Sequence, residues 1–193
     1  MSQKDSGYER KERDLYETPE WVTEALCKHL ATTNTWHFGG VWEPAAGSGK
    51  MSRVLANWVD GRSSGNPCVF SSDIEPLAEG IERQDFLTAE WPKRPNNVGA
   101  IVTNPPFELA VEFIETALRH IDRQGYGLVA MLLRTDFDHA KSRSHLFRDC
   151  PVFQRKLVLT KRIVWFEPEP GQKGKSPSFN HAWFIWNAKH SGW

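Results

Sequence analysis

Asn104-Pro105-Pro106-Phe107 constrains this chain more than any other segment. An apolar, strand-like run (Val98 to Val102) ends on it, and a helix-like run (Leu109 to Ile121) follows. Two adjacent prolines fix φ and remove both N–H donors, leaving their carbonyls free to accept from a ligand. The context places a carboxamide, a rigid backbone and an aromatic ring at the carboxyl end of a strand, where open α/β sheets carry their chemistry. The Asn104 side-chain oxygen beside the Pro105 carbonyl can take both protons of a planar exocyclic amine, and Phe107 offers a heteroaromatic ring a surface to stack on. Those are the requirements for methylating an amino nitrogen. Taken alone, the tetrapeptide would serve equally as a Pro-rich loop that closes a strand.

The rest of the chain alternates strands and helices. Thr18-Pro19 reads as an N-cap and first helical position, and Trp21, Val22, Ala25, Leu26 and Leu30 recur at helical spacing, giving a helix over about 19–31. Val41-Trp42-Glu43 ends a short strand that runs into Pro44-Ala-Ala-Gly-Ser-Gly49; Met51, Val54, Leu55, Trp58 and Val59 make the next helix. Further strands are expected at 68–74, weakly before Asp85-Phe86, at 98–102 and at 127–133, with a helix near 139–149. The final third reads as β-rich, over 156–160, 162–166 and 182–186, with a Pro/Gly/Lys loop at 167–178. This order predicts an α/β fold: a mostly parallel, seven-stranded Rossmann-like sheet with helices on both faces and an antiparallel late strand. Residues 1–14 read as a charged leader, and 15–193 as one domain.

The Gly-rich turn excludes two common nucleotide loops. In Gly47-Ser48-Gly49-Lys50 the first glycine of a phosphate loop falls at Pro44, and Met51 stands where Ser or Thr is needed. A dinucleotide fingerprint fails because its third glycine falls at Ser52 or Arg53. What remains is a tight turn that lets a ligand lie against backbone N–H groups. Asp73, at the end of the next strand, is placed to accept from both hydroxyls of a ribose. Asp85-Phe86 offers an acceptor for an adenine amine and a ring to stack on it.

Charge and cysteine usage narrow the setting. The 193 residues carry 24 basic and 24 acidic side chains, so the global field favours no polyanion. Arg134 to Lys175 nevertheless holds ten Lys/Arg against five Asp/Glu, which fits a nucleic-acid-facing edge. Cys27, Cys68 and Cys150 form no CxxC pair, so a reducing compartment without structural zinc is expected. With no signal peptide and no apolar run of membrane length, the reading is cytoplasmic, with no membrane partner. Asp136, Asp138 and His139 read as a helix-start cap and dipole complement, and no metal is expected.

Five segments in order resemble the class I S-adenosylmethionine-dependent methyltransferases, and among them the N6-adenine nucleic-acid methyltransferases of small phage or prophage type. The segments are Tyr16-Glu17-Thr18-Pro19, Glu43-Pro-Ala-Ala-Gly-Ser-Gly49, Ser72-Asp73-Ile74-Glu75-Pro76, Gln84-Asp85-Phe86-Leu87 and Asn104-Pro-Pro-Phe107. The resemblance implies S-adenosyl-L-methionine as cofactor. Tyr16, Thr18 and Pro19 would close over it, Glu43, Pro44, Ala45, Gly47 and Gly49 would form its first loop, Asp73 and Ile74 would meet its ribose, and Asp85 and Phe86 its adenine. Asn104, Pro105, Pro106 and Phe107 would carry catalysis, Asn104 also touching the cofactor. Phe107 in place of tyrosine argues mildly against the protein-glutamine branch.

The resemblance also implies a nucleic-acid partner, DNA ahead of RNA. A flipped adenine would need a second wall opposite Phe107: Trp165 and Phe166 are the candidates, with Phe179 as a substitute. Arg134, Lys141, Arg143, Arg148, Lys173 and Lys175 are candidate phosphate contacts. No segment remains for a separate target-recognition domain, so readout would fall to loops, a partner subunit or a second copy in a homodimer. The rivals are an RNA adenine methyltransferase, a protein-glutamine methyltransferase and a non-catalytic cofactor-binding subunit.

Overall fold

Four apolar runs form strands buried along almost their whole length: β1 (Gly40–Glu43), β4 (Val98–Thr103), β5 (Leu128–Arg134) and β7 (His181–Asn187). Strands buried on both faces need a layer above and a layer below. The computed structural model describes residues 16–33, 35, 39–60, 68–92, 98–165 and 179–189. Phe166, Lys173, Lys175, the leader and the 167–178 loop lie outside them. The remaining strands are β2 (Cys68–Asp73), β3 (Glu82–Arg83) and β6 (Phe153–Val158), and the helices are α1 (Glu20–Thr32), α2 (Lys50–Asp60) and α3 (Ala110–Gln124). The seven strands form one sheet in the order β3-β2-β1-β4-β5-β7-β6. β1 to β5 pair in parallel, and β7 runs antiparallel to both β5 and β6.

Period-two alternation divides the core. Leu128, Ala130 and Leu132 of β5, with Trp183 and Ile185 of β7, meet Val22, Leu26 and Leu30 of α1 and Met51, Leu55 and Val59 of α2 on one face. Val129, Met131 and Leu133, with Phe184 and Trp186, meet Phe113, Ile114, Ala117 and Ile121 of α3 on the other. Each fully buried large side chain of this kind contributes about 1.5–3 kcal/mol. The indole N–H groups are also satisfied: Trp42 donates to Ser72 Oγ at 2.9 Å, Trp183 to the Val22 carbonyl at 2.9 Å and Trp186 to the Leu146 carbonyl at 2.7 Å.

Three local expectations are corrected. The helix near 139–149 is a pair of 3-10 segments, Phe137–His139 and Lys141–Leu146. Trp186 takes the Leu146 carbonyl, and the Cys150 N–H turns back to Phe147 at 3.1 Å, so no α-helical bond closes there. The 162–166 strand does not form over its described residues 162–165. β7 already has β5 and β6 on its two edges, and Ile163 instead buries against the α1/α2 face. Finally, Pro19 and not Thr18 stands at the N-cap of α1, with no side-chain cap bond, while Thr18 is buried.

Gly127, at the entry to β5, adopts φ +134°, and a Cβ there would meet Ile121 Cγ2 of α3 at 2.7 Å. Gly127→Ala should therefore lower unfolding stability by about 1–3 kcal/mol, read as a fall in urea midpoint with unchanged slope.

Candidate active site

The strand order reverses between β1 and β4, and ligands of open α/β sheets bind outside the carboxyl ends at such a point. A cavity of about 860 Å³ opens there. The turns that follow β1, β2, β3 and β4 line it, together with Tyr16, Glu17 and Thr18 ahead of α1. Every residue named for the cofactor lines it except Pro19 and Gly49, and so do all four residues of the Asn104 loop.

Asp73 joins two of the turns. Its Oδ2 accepts from the Gly47 N–H at 2.7 Å and its Oδ1 from the Glu75 N–H at 2.8 Å. Gly47 and Gly49 stand at φ +51° and +76°, a backbone that β-carbon-bearing residues rarely adopt, so the tight turn is built on glycine. Burial raises the Asp73 pKa, opposed by the Gly47 bond. Each of its oxygens can accept again, as a ribose diol would require.

Glu43, at the end of β1, is only 2% exposed. Burial pushes its pKa up to about 8, against the lowering effect of Ser52; Asp73 adds a smaller raising effect. The Ser52 hydroxyl donates to Glu43 Oε2 and meets Ser71 Oγ at 2.6 Å. The carboxyl group is thus neutral at the floor of the cavity near neutral pH.

The apolar wall differs from expectation. Phe86 lines the cavity, but its ring is 2% exposed and packed at 5.0 Å from Trp42 and 4.9 Å from Phe113, so it belongs to the core and is not a free stacking surface. Ile74, 63% exposed, presents the apolar surface instead, joined by Leu87. Asp85 accepts from the Leu87 N–H at 3.0 Å through Oδ1 and is otherwise open to solvent.

The Asn104 carboxamide is half satisfied. Its Nδ2 donates to the Tyr16 carbonyl at 3.2 Å, while its Oδ1 is buried with no hydrogen-bond partner. Beside it, among the described residues, four rings pack in a circuit: Tyr16 to Phe107 at 5.4 Å, Phe107 to His181 at 6.4 Å, His181 to Trp165 at 5.1 Å, and Trp165 to Tyr16 at 5.4 Å. Trp165 therefore packs on Tyr16. Sequence reasoning missed His181. It is buried, its Nδ1 lacks a partner, and its pKa falls to about 4 through burial and the nearby Arg134, against a smaller raising effect of Asp136. A histidine opening an apolar strand carries no sequence signal of such a position. Leu109, exposed in the turn after Phe107, and Phe113 also line the cavity.

The basic residues do not share one edge: Arg134 ends β5, whereas Arg148 lies just ahead of Phe153, whose register through Trp186 falls at Val129 near the start of β5; most of them are engaged. The Arg134 guanidinium lies 3.9 Å over the Phe179 ring and pairs with Asp136 at 2.7 Å. Arg143 covers Phe137 at 4.1 Å, Arg148 pairs with Asp149 at 2.8 Å, and Lys141 is exposed. Asp136 makes no cap bond, contrary to expectation, and Asp138 holds Lys156 at 2.7 Å. Among the described residues no cluster of three His, Cys, Asp or Glu could hold a metal, and no helix is long and apolar enough to cross a membrane.

No family model and no curated protein matches the chain. Solved structures do. A class I S-adenosylmethionine-dependent methyltransferase from Listeria monocytogenes is 15% identical with a TM-score of 0.58, over 88% of this chain and 60% of its own. A candidate RNA methyltransferase from Pyrococcus horikoshii is 12% identical with a TM-score of 0.64, over 91% and 88%. The modification subunit of a candidate type I restriction enzyme from Vibrio vulnificus is 12% identical with a TM-score of 0.58, over 92% and 45%. The chain thus spans less than two thirds of the length of the Listeria and Vibrio proteins. The fold is that of the class I S-adenosylmethionine-dependent methyltransferases.

The neutral Glu43 has a measurable consequence. A raised carboxyl pKa contributes stability that is complete below the unfolded value and is lost as pH rises through about 8. The loss approaches ~1.4 kcal/mol per pH unit across that window. His120 and His181, whose pKa values are lowered, act in the opposite sense below about pH 6.5. The difference between wild type and Glu43→Gln isolates the carboxyl group: the variant should gain on the wild type steadily from pH 5 to 8 in denaturant titrations.

Proposed function

We propose that the chain transfers a methyl group from S-adenosyl-L-methionine to the N6 amine of adenine in nucleic acid, DNA ahead of RNA. The carrying observation is the Asn104 side-chain oxygen, buried and without a donor in the cavity where the Gly47 turn and the Asp73 carboxylate meet. A buried amide oxygen left unpaired costs about 1–3 kcal/mol, which a primary amine would relieve.

The residues present fit the cofactor. Asp73 retains acceptor capacity for a ribose, Ile74 and Leu87 supply an apolar surface for a heteroaromatic ring, and Gly47 itself presents bare backbone to the cavity. Held by the Gly47 turn and Asp73, the cofactor would supply an electrophilic methyl on a sulfonium, with the neutral thioether as leaving group. Asn104 Oδ1 and the Pro105 carbonyl accept hydrogen bonds from the two amine N–H groups, drawing the lone pair out of conjugation and aligning it, a positioning effect worth several kcal/mol. Asn104 is neutral and takes no proton; the surplus proton leaves to water. Phe107 supplies one stacking wall.

Adenine in nucleic acid is favoured over a protein amide by the aromatic surroundings of Asn104. Phe107 suits the face of a flat base, and Trp165 stands one ring away across Tyr16. Arg134 at the end of β5 and the exposed Lys141 suit contacts to a phosphate backbone; of the similar structures, the Pyrococcus one is named as an RNA methyltransferase and the Vibrio one as a restriction-enzyme modification subunit.

Two measurements test this. S-adenosylmethionine at about 100 times its Kd should stabilise the fold by ~2.7 kcal/mol, and Asp73→Ala should lose most of that rise; an unchanged melting curve would exclude the cofactor. With tritiated cofactor, label should appear as N6-methyladenine in a DNA pool. Asn104→Ala should lose about a hundredfold or more in turnover while keeping cofactor affinity within a few-fold. Wild-type turnover in that variant, or label on cytosine or a peptide glutamine alone, would overturn the assignment.

A further inference from the structure

Resting on the adenine reading above, we infer that in the free protein the Tyr16 ring stands in the slot of the target base, and that a base entering against Phe107 must turn it out. Tyr16 is tied to both halves of the Asn104 loop. Its carbonyl accepts from Asn104 Nδ2 at 3.2 Å, and its ring lies 5.4 Å from Phe107, tilted by 55°. On its other side the ring meets Trp165 at 5.4 Å, nearly edge-on at 69°. Phe107 and Trp165 are themselves backed by His181 at 6.4 and 5.1 Å, so the only ring of the four bonded through its own main chain to the catalytic amide is Tyr16.

A base stacked on Phe107 with its amine at Asn104 Oδ1 needs the volume beside both groups, and Tyr16 fills it. Asn104 Oδ1 is buried, and no donor among the described residues reaches it. The plug resembles its replacement in being a flat aromatic ring, so the tilted and edge-on ring contacts surrendered by Tyr16 are returned by the base. The exchange is close to balanced, and the apparent affinity for the base is reduced by the fraction of time the slot stands open.

The test is equilibrium dialysis of radiolabelled adenosine against the full chain, with saturating S-adenosylhomocysteine to block the cofactor subsite. Tyr16→Ala should bind adenosine about tenfold more tightly than wild type, the gain expected if the slot is open about a tenth of the time. Tyr16→Val, run beside it, keeps an apolar side chain and should gain in the same direction. Adding Asn104→Ala to either variant should cancel the gain. Equal or weaker adenosine binding by folded Tyr16 variants, with Asn104→Ala still blocking methylation of DNA, would overturn the plug and leave the adenine assignment standing. Failure of every variant to bind adenosine, with label transferred only to peptide glutamine, would overturn both.

Discussion

The Asp73 carboxylate is the bond on which the rest of the cavity depends. One oxygen holds the Gly47 N–H at 2.7 Å and the other the Glu75 N–H at 2.8 Å, so a single side chain fixes the turns leaving β1 and β2. Two main-chain bonds reinforce it, from the Ala46 N–H to the Ser72 carbonyl and from the Leu77 N–H to the Gly47 carbonyl, each at 3.0 Å. A carboxylate accepting backbone donors is a charge-assisted contact and roughly twice as strong as a neutral one. The floor of the cavity is therefore set by parts that need no ligand to hold their shape. The Asn104 side of the cavity is arranged differently: the carboxamide is anchored through its nitrogen, while its oxygen is buried without a hydrogen-bond partner.

Much of this was legible in the sequence, for identifiable reasons. β1, β2, β4, β5 and β7 are apolar runs that stop at turn residues, and their expected bounds differ from the observed ones by a residue or two. Glycines at positive φ and a Pro-Pro step mark the turns after β1 and β4, because few other residues can occupy those positions. Tertiary competition hid the rest. The segment 139–149 has helical composition, yet Trp186 claims the carbonyl of Leu146 from forty residues away. Phe86 sits in a turn with the right neighbours, but the space beneath Trp42 draws its ring inward. β6 carries Gln154, Arg155 and Lys156 in place of an apolar run, as an outer strand can, and its start at Phe153 is not apparent from pattern alone.

The site shows the same division. The residues that line the cavity follow the order of the strand ends, and that order is written in the chain. Contacts between segments distant in sequence are not: Tyr16 against Trp165, and His181 beneath Phe107, arise from the antiparallel insertion of β7 between β5 and β6. The neutral state of Glu43 likewise follows from its depth and not from its neighbours in sequence.

The two borders of the sheet, finally, bear on how the protein behaves when crowded. An outer strand with free N–H and C=O groups invites another sheet to continue the ladder, the first step toward fibrous aggregates. Here one border is β3, two residues long and consisting of Glu82 and Arg83, both exposed. The other is β6, whose middle carries Arg155 and Lys156 and whose register against β7 shifts between Phe153 and Arg155. Neither offers the long, flat, uncharged margin that polymerisation requires. The mostly apolar strands that would make the strongest templates, β4, β5 and β7, are kept inside.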